Sequence, residues 1–79
     1  MSETEPAETY DLRGLNCPMP VLKTQRRMLD MAPGERLRVR TSDPLAVIDI
    51  PNWCRESGHR LIESEKAEDG HLFLIERGA

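Results

Sequence analysis

The residue best suited to do chemistry in this sequence is Cys17, in the stretch Gly-Leu-Asn-Cys-Pro-Met-Pro at residues 14–20. The thiolate form of cysteine is the nucleophile, so its reactivity depends on pKa and access. Pro18 disfavours helical dihedrals at the residue before it and suits the first position of a helix. The spacing therefore predicts that Cys17 is the N-cap of a helix that begins at Pro18.

Both prolines of this stretch are compatible with a helix start, because the first N–H groups of a helix have no intrahelical partner. Only Met19 and Val21 keep free amides there, and we expect the sulfur to accept the Met19 N–H. The partial positive charge of a helix N-terminus also favours an anion. The sequence thus predicts a lowered pKa for Cys17. The supporting site residues are Pro18, Met19, Pro20 and Val21.

Basic side chains lie before and after the cysteine. They are candidates for docking an acidic partner protein, since such a partner must approach the thiol. The alternative is a plain solvated surface, because exposed charges at these distances are screened. The docking candidates are Arg13, Lys23, Arg26 and Arg27.

An inert, buried thiol is the alternative for any lone cysteine. Cys54 lies beside Trp53 within a predicted helix, and we interpret it as a packed core thiol; the alternative is a resolving partner for Cys17. The cysteine spacing fits neither a CxxC pair nor a zinc site. His59 and His71 are isolated and expected at the surface. No metal and no organic cofactor is predicted.

The elements that must position Cys17 follow from the hydrophobic periodicity. Strands alternate apolar and polar residues, and the first helix repeats its apolar residues on one face. Pro33 and Gly34 are expected to stop that helix. In chain order, the pattern predicts strand 9–13, helix 18–31, strand 35–41, helical segment 44–57, strand 60–66 and strand 71–77.

The second helical segment carries its own signals. Asp43 is the predicted N-cap and Pro44 the first helical residue. Pro51 is expected to break the segment into a short piece (44–49) and a longer helix (51–57), because an interior proline removes a hydrogen bond.

The predicted order β-α-β-α-β-β indicates an α/β protein. We expect a two-layer α/β sandwich, in which a four-stranded mixed sheet has two helices on one face. A stripe of Arg36, Arg38 and Arg40 agrees with an open, solvated second face. The apolar run 72–75 is predicted to be either a central strand or a partly exposed contact surface.

Composition limits the classes of function. The chain has 79 residues with a net charge of −3, so we expect one domain over 9–79, preceded by a disordered tail over 1–8. The negative charge argues against nucleic acid and anionic membranes as partners, and no apolar run is long enough to span a bilayer. RNA binding on the open sheet face is a further alternative, which the lack of paired exposed aromatics opposes. The N-terminus does not resemble a secretory signal, so a cytoplasmic protein is predicted.

Two stretches resemble a known family. Residues 14–20 are similar to the CPxP signature of the TusA/SirA-like sulfur-carrier family, and residues 43–54 resemble the DP…DIP..C segment of its TusA members. The resemblance extends from Asp11 to Arg77. It implies the same two-layer β-α-β-α-β-β fold that the periodicity predicts.

The resemblance also implies a function. Members of this family accept sulfur as a persulfide on the cysteine that corresponds to Cys17 and pass it on. Implied partners are a cysteine desulfurase or other sulfur donor, and a downstream sulfur-relay protein in routes such as tRNA thiolation, molybdenum-cofactor synthesis or sulfur oxidation. The alternative, from another class, is a regulatory or adaptor module that binds a protein partner without sulfur transfer. Full activity of a Cys17→Ala variant would favour that alternative.

Overall fold

The computed structural model describes residues 8–78 and has the predicted order of elements. They are β1 (Glu8–Leu12), α1 (Met19–Met28), β2 (Arg36–Thr41), α2 (Ala46–Ser57), β3 (Arg60–Ala67) and β4 (Gly70–Glu76). The predicted α/β class is therefore confirmed. The predicted tail over residues 1–8 lies outside the described residues, except for Glu8, which is the first residue of β1.

The four strands form one mixed sheet in the order β1-β2-β4-β3. Strands β1 and β2 are parallel, and β4 is antiparallel to both β2 and β3. Parallel neighbours need a crossover, and α1 supplies it between β1 and β2. Because β4 lies between β2 and β3, the apolar run 72–75 belongs to a central strand, which is the first of its two predicted interpretations.

The core lies between the sheet and the two helices. Along β2, Leu37, Val39 and Thr41 are buried, while the three arginines of the stripe alternate with them on the other face. This alternation confirms the predicted open face. Cys54 is 2% exposed and belongs to the core cluster, as predicted. Within residues 8–78 there is no helix long and apolar enough to cross a membrane.

Helix α1 is shorter than the predicted 18–31. Pro18, rather than Cys17, is its N-cap, and Pro20 lies within its first turn. At the other end, Leu29, Asp30 and Met31 bond to carbonyls three residues back, instead of four. The chain therefore tightens into turns after Met28, before it reaches the Pro-Gly pair that was expected to end the helix.

Helix α2 is continuous through Pro51, so the predicted break is wrong. Pro51 is the sixth helical residue, and the carbonyl that loses its partner belongs to Val47, an exposed residue of the first turn where water is available. The predicted N-cap is also wrong, because the cap is Leu45. Asp43 instead begins the turn before the helix, where its carbonyl accepts the Ala46 N–H at 3.0 Å.

Candidate functional site

Cys17 lies in the turn between β1 and α1, and its side chain is exposed. Its backbone N–H donates to Oδ2 of Asp43 at 2.7 Å, and its peptide bond to Pro18 is cis. The Asp43 carboxylate therefore anchors the loop that presents the sulfur, while the sulfur itself remains accessible.

The hydrogen bond expected between the Cys17 sulfur and the Met19 amide does not form. The Met19 N–H donates to the carbonyl of Asn16 at 2.8 Å. Since Cys17 precedes the N-cap residue, its position is one residue further from the helix than predicted. The amide that was expected to stabilise a thiolate is thus used within the turn.

The partner of the sulfur is a carboxylate. Sγ of Cys17 donates to Oδ2 of Asp49 at 2.9 Å. This hydrogen bond raises the pKa of Cys17, with desolvation by neighbouring groups and the negative charges of Asp49 and Asp43 acting in the same direction. The predicted lowering of the pKa is therefore wrong, and the thiol form is favoured in the free protein.

Asp43 links the site to the start of α2. It is 6% exposed, and its Oδ1 accepts the Leu45 N–H at 3.2 Å while Oδ2 accepts that of Cys17. The sequence predicts only a capping role for Asp43 and no role for Asp49. Asp43 and Asp49 lie in residues 43–54, the stretch that resembles TusA members. This resemblance is the sequence's indication that they have a role at the site, and it does not indicate which atoms they contact.

A groove between α1 and α2 starts at the thiol. Pro18 and Val21 form its side on α1, and Trp53 forms part of its side on α2. The other predicted supporting residues lie elsewhere, since Pro20 is buried and Met19 is 38% exposed on the outer face of α1. The groove is lined by Cys17, Pro18, Val21, Asp49, Asn52, Trp53 and Glu56.

The four basic docking candidates are spread over the surface. Arg13 bridges Asp11 at 2.8 Å and Asp69 at 3.0 Å, so it is held at the end of the sheet. The Arg13 guanidinium lowers the pKa of Asp11 to about 2 by its hydrogen bonds. Arg13 is therefore paired with two carboxylates, Asp11 and Asp69.

The remaining cations belong to α1. The guanidinium of Arg27 lies over the ring of Tyr10, 5.3 Å from its centroid. Lys23 and Arg26 line a separate depression on the outer face of the helix. The structure thus places Lys23 and Arg26 together, beside the exposed Met19, Leu22 and Leu29, rather than in the groove at the thiol.

Cys54 differs from Cys17 in its access to solvent. It is buried, and burial raises its pKa to about 11. A thiol of this kind is inert at neutral pH, because little thiolate forms and reagents do not reach it. The interpretation of Cys54 as a core residue is confirmed by its burial.

Comparison with known proteins identifies the family. A family model described as "Sulfurtransferase TusA" matches residues 8–77. The chain is 38% identical over 77 residues to the sulfur carrier protein TusA of Pseudomonas paraeruginosa, covering 96% of this chain and 98% of that protein. It is 39% identical over 69 residues to the protein of the same name from Pseudomonas aeruginosa strain LESB58, covering 87% of each. The chain therefore belongs to the TusA family.

Proposed function

We propose that this protein is a sulfur carrier that accepts persulfide sulfur on Cys17 and relays it to an acceptor protein. Its family and the names of its curated relatives support a sulfur-carrier role. The observation that carries the assignment to one residue is the contrast between the two cysteines. Cys17 is exposed at the mouth of a groove, whereas Cys54 is buried.

The chemistry is thiol exchange at sulfur. Cys17 loses its thiol proton, and its thiolate attacks the outer sulfur of a persulfide on the donor protein. A new S–S bond forms at Cys17, the bond between the two donor sulfurs breaks, and the donor cysteine leaves as a thiolate that takes up a proton. An acceptor thiolate repeats the same exchange in the next step. No external oxidant or cofactor enters either step.

The proposed partners are a cysteine desulfurase or another protein persulfide as donor, and a downstream sulfur-relay protein as acceptor. Their contact surface includes the groove at Cys17, and the exposed outer face of α1 with Lys23 and Arg26 is the second candidate surface. We place the protein in the cytoplasm, where free thiols persist, and we assign the carrier to a single domain over residues 9–79.

The test is sulfur loading in vitro. The purified protein is incubated with a cysteine desulfurase and cysteine, and intact mass is followed by peptide mapping under non-reducing conditions. We expect one added sulfur on the peptide that contains Cys17. Cys17→Ser is expected to abolish loading, and Cys54→Ala, the matched control for losing a thiol, is expected to retain it.

Equal loading of the Cys17→Ser protein would remove the proposal, because sulfur would then reside at another site. Loss of loading in Cys54→Ala, with an unchanged circular dichroism spectrum, would show that Cys54 takes part in loading and contradict its assignment as an inert thiol.

A further inference from the structure

The contact between Cys17 and Asp49 joins two segments that are 32 residues apart in the chain. Asp49 is a half-buried residue in the first turn of α2, and its carboxylate faces the sulfur across the groove at 2.9 Å. A second, independent contact fixes the other side of the loop, since the Cys17 N–H is bonded to Asp43. The loop and the sulfur are thus each held by a carboxylate.

We propose that Asp49 is a positioning residue for Cys17. Its carboxylate holds the thiol proton in the free carrier and must release the sulfur before transfer. This role of Asp49 rests on the proposed sulfur-carrier function and names a residue that controls it. A thiol donating to a carboxylate is protonated, whereas only the thiolate attacks a persulfide. The resting carrier is therefore kept from reacting with disulfides and oxidants until a partner displaces this contact.

The charges around the sulfur act in the same direction. Asp43, which accepts the Cys17 N–H, adds a negative charge from the connection after β2, and Asp49 and Glu56 line the groove from α2. Arg55 contacts the Asn52 side chain at the rim. Lys23 and Arg26 lie on the outer face of α1, and Arg27 lies over the ring of Tyr10. Within residues 8–78, no lysine or arginine lines this groove.

Transfer needs no further reagent. When the contact breaks, the thiol proton leaves Cys17 and is taken up by the donor cysteine as that residue departs. The sulfur–sulfur bond lost in the donor is replaced by the one gained at Cys17, so atoms and electrons balance. The carboxylate of Asp49 is unchanged at the end of the step.

The test measures the reactivity of Cys17 without any sulfur donor. Rates of alkylation by iodoacetamide are measured between pH 5.5 and 10 in a Cys54→Ala background. Asp49→Asn keeps the shape of the side chain and removes its charge, so we expect the apparent pKa of Cys17 to fall and alkylation at pH 7 to rise by roughly threefold or more. Asp49→Glu restores the charge and is expected to return the rate toward that of the parent.

Two carboxylate controls separate a direct contact from bulk charge. Glu63→Gln removes the same charge on the open face of the sheet and is expected to leave the profile unchanged. Glu56→Gln removes a groove charge that does not contact the sulfur and is expected to have a smaller effect than Asp49→Asn. An unchanged profile in Asp49→Asn, or an equal shift in Glu56→Gln, would overturn the proposal.

The outcome is distinguishable from failure of the sulfur-carrier function. If the parent protein does not load sulfur, the carrier function fails, while the alkylation profiles still decide the role of Asp49. If loading succeeds and Asp49→Asn has the parent profile, the carrier function stands and the positioning role is lost. A urea midpoint close to that of the parent confirms that each variant is folded.

Discussion

At Cys17, a helix N-terminus and a carboxylate have opposite effects on one sulfur atom. The helix dipole acts within its first turn and favours an anion. The amide of Met19, the first residue of α1, is bonded to Asn16 instead of the sulfur, while Asp49 contacts the sulfur directly. A direct hydrogen bond to a charged acceptor exceeds the effect of a dipole whose amide points elsewhere, so the carboxylate determines the protonation state.

Asp43 provides the first residue-scale prediction about stability. Asp43→Ala leaves the N–H groups of Cys17 and Leu45 without their carboxylate partner. Because an unmet backbone donor costs about 1–3 kcal/mol when it is partly buried, we expect the free energy of unfolding to fall by about 1–3 kcal/mol. Urea denaturation followed by circular dichroism measures the change.

The control for this variant is Asp30→Ala, which removes an exposed carboxylate in the turn after α1. It is expected to change the unfolding free energy by less than about 0.5 kcal/mol, as surface substitutions usually do. Comparable losses in both variants would mean that net charge, rather than the anchoring of the Cys17 loop, explains the effect of Asp43.

At the scale of elements, Gly58 ends α2 and Gly70 begins β4, and different constraints favour glycine at the two positions. Gly58 follows α2 with φ +83°, a left-handed conformation that ends helices, and a Cβ there would meet open space. Gly70 starts β4 with φ +152°, and a Cβ there would lie 1.9 Å from the carbonyl oxygen of Thr41. At Gly58, a side chain is opposed by the backbone conformation alone. At Gly70, it is opposed by the backbone conformation and by contact with β2.

We therefore expect Gly58→Ala to cost about 1 kcal/mol of unfolding free energy, which is the usual penalty of an L-residue in the left-handed region. Gly70→Ala should cost at least about twice as much, because backbone atoms of two paired strands must move apart. Thermal or urea unfolding of both variants gives the comparison. Equal losses would show that the end of β2 at Thr41 moves at little cost.

At the scale of the whole molecule, the last described residues connect both helices to the sheet. Nε of Arg77 donates to the carbonyl of Met28 at 2.7 Å, at the end of α1. The Gly78 N–H donates to Nδ1 of His59 at 2.9 Å, in the link between α2 and β3. The ring of His59 also lies 5.0 Å from that of Trp53. The contact with Gly78 therefore requires that Nδ1 of His59 carry no proton, and stability depends on this contact.

This dependence predicts an effect of pH. Burial lowers the pKa of His59, and the nearby charge of Arg77 adds to the shift. Because the native state then binds fewer protons than the unfolded state, the stabilisation is complete above the unfolded pKa of about 6.5 and is lost as pH falls toward the lower native value. We expect the urea midpoint to decrease between pH 7.5 and 5.5, and His59→Gln to reduce that decrease.

The parent and the His59→Gln variant share the carboxylates that titrate in this pH range. The effect of those carboxylates therefore cancels when the two decreases in urea midpoint are compared. His71→Gln, which leaves the Gly78 contact intact, is the matched control and is expected to keep the parental decrease. A decrease of the same size in His59→Gln and in the parent would show that the Gly78 contact does not couple folding to pH.

The sequence by itself determined the order of elements, the fold class and the cysteine that is exposed. Alternation in β2 and the two motifs are local patterns, and local patterns predict local structure. Only the tertiary structure decided which side chains meet the thiol. Asp43 and Asp49 are 26 and 32 residues from Cys17, and they reach it because the crossover through α1 brings the starts of both helices together.

The same reason explains the predictions that were wrong. Pro51 has a strong local tendency to break a helix, yet α2 continues because Ile50 and Cys54 are buried against the sheet on either side of it. The lowered pKa of Cys17 was predicted from the helix start, and a carboxylate distant in sequence raises the pKa instead. Electrostatics at a site depends on every charge nearby in space, and neighbours in space are set by the packing of the two helices on the sheet.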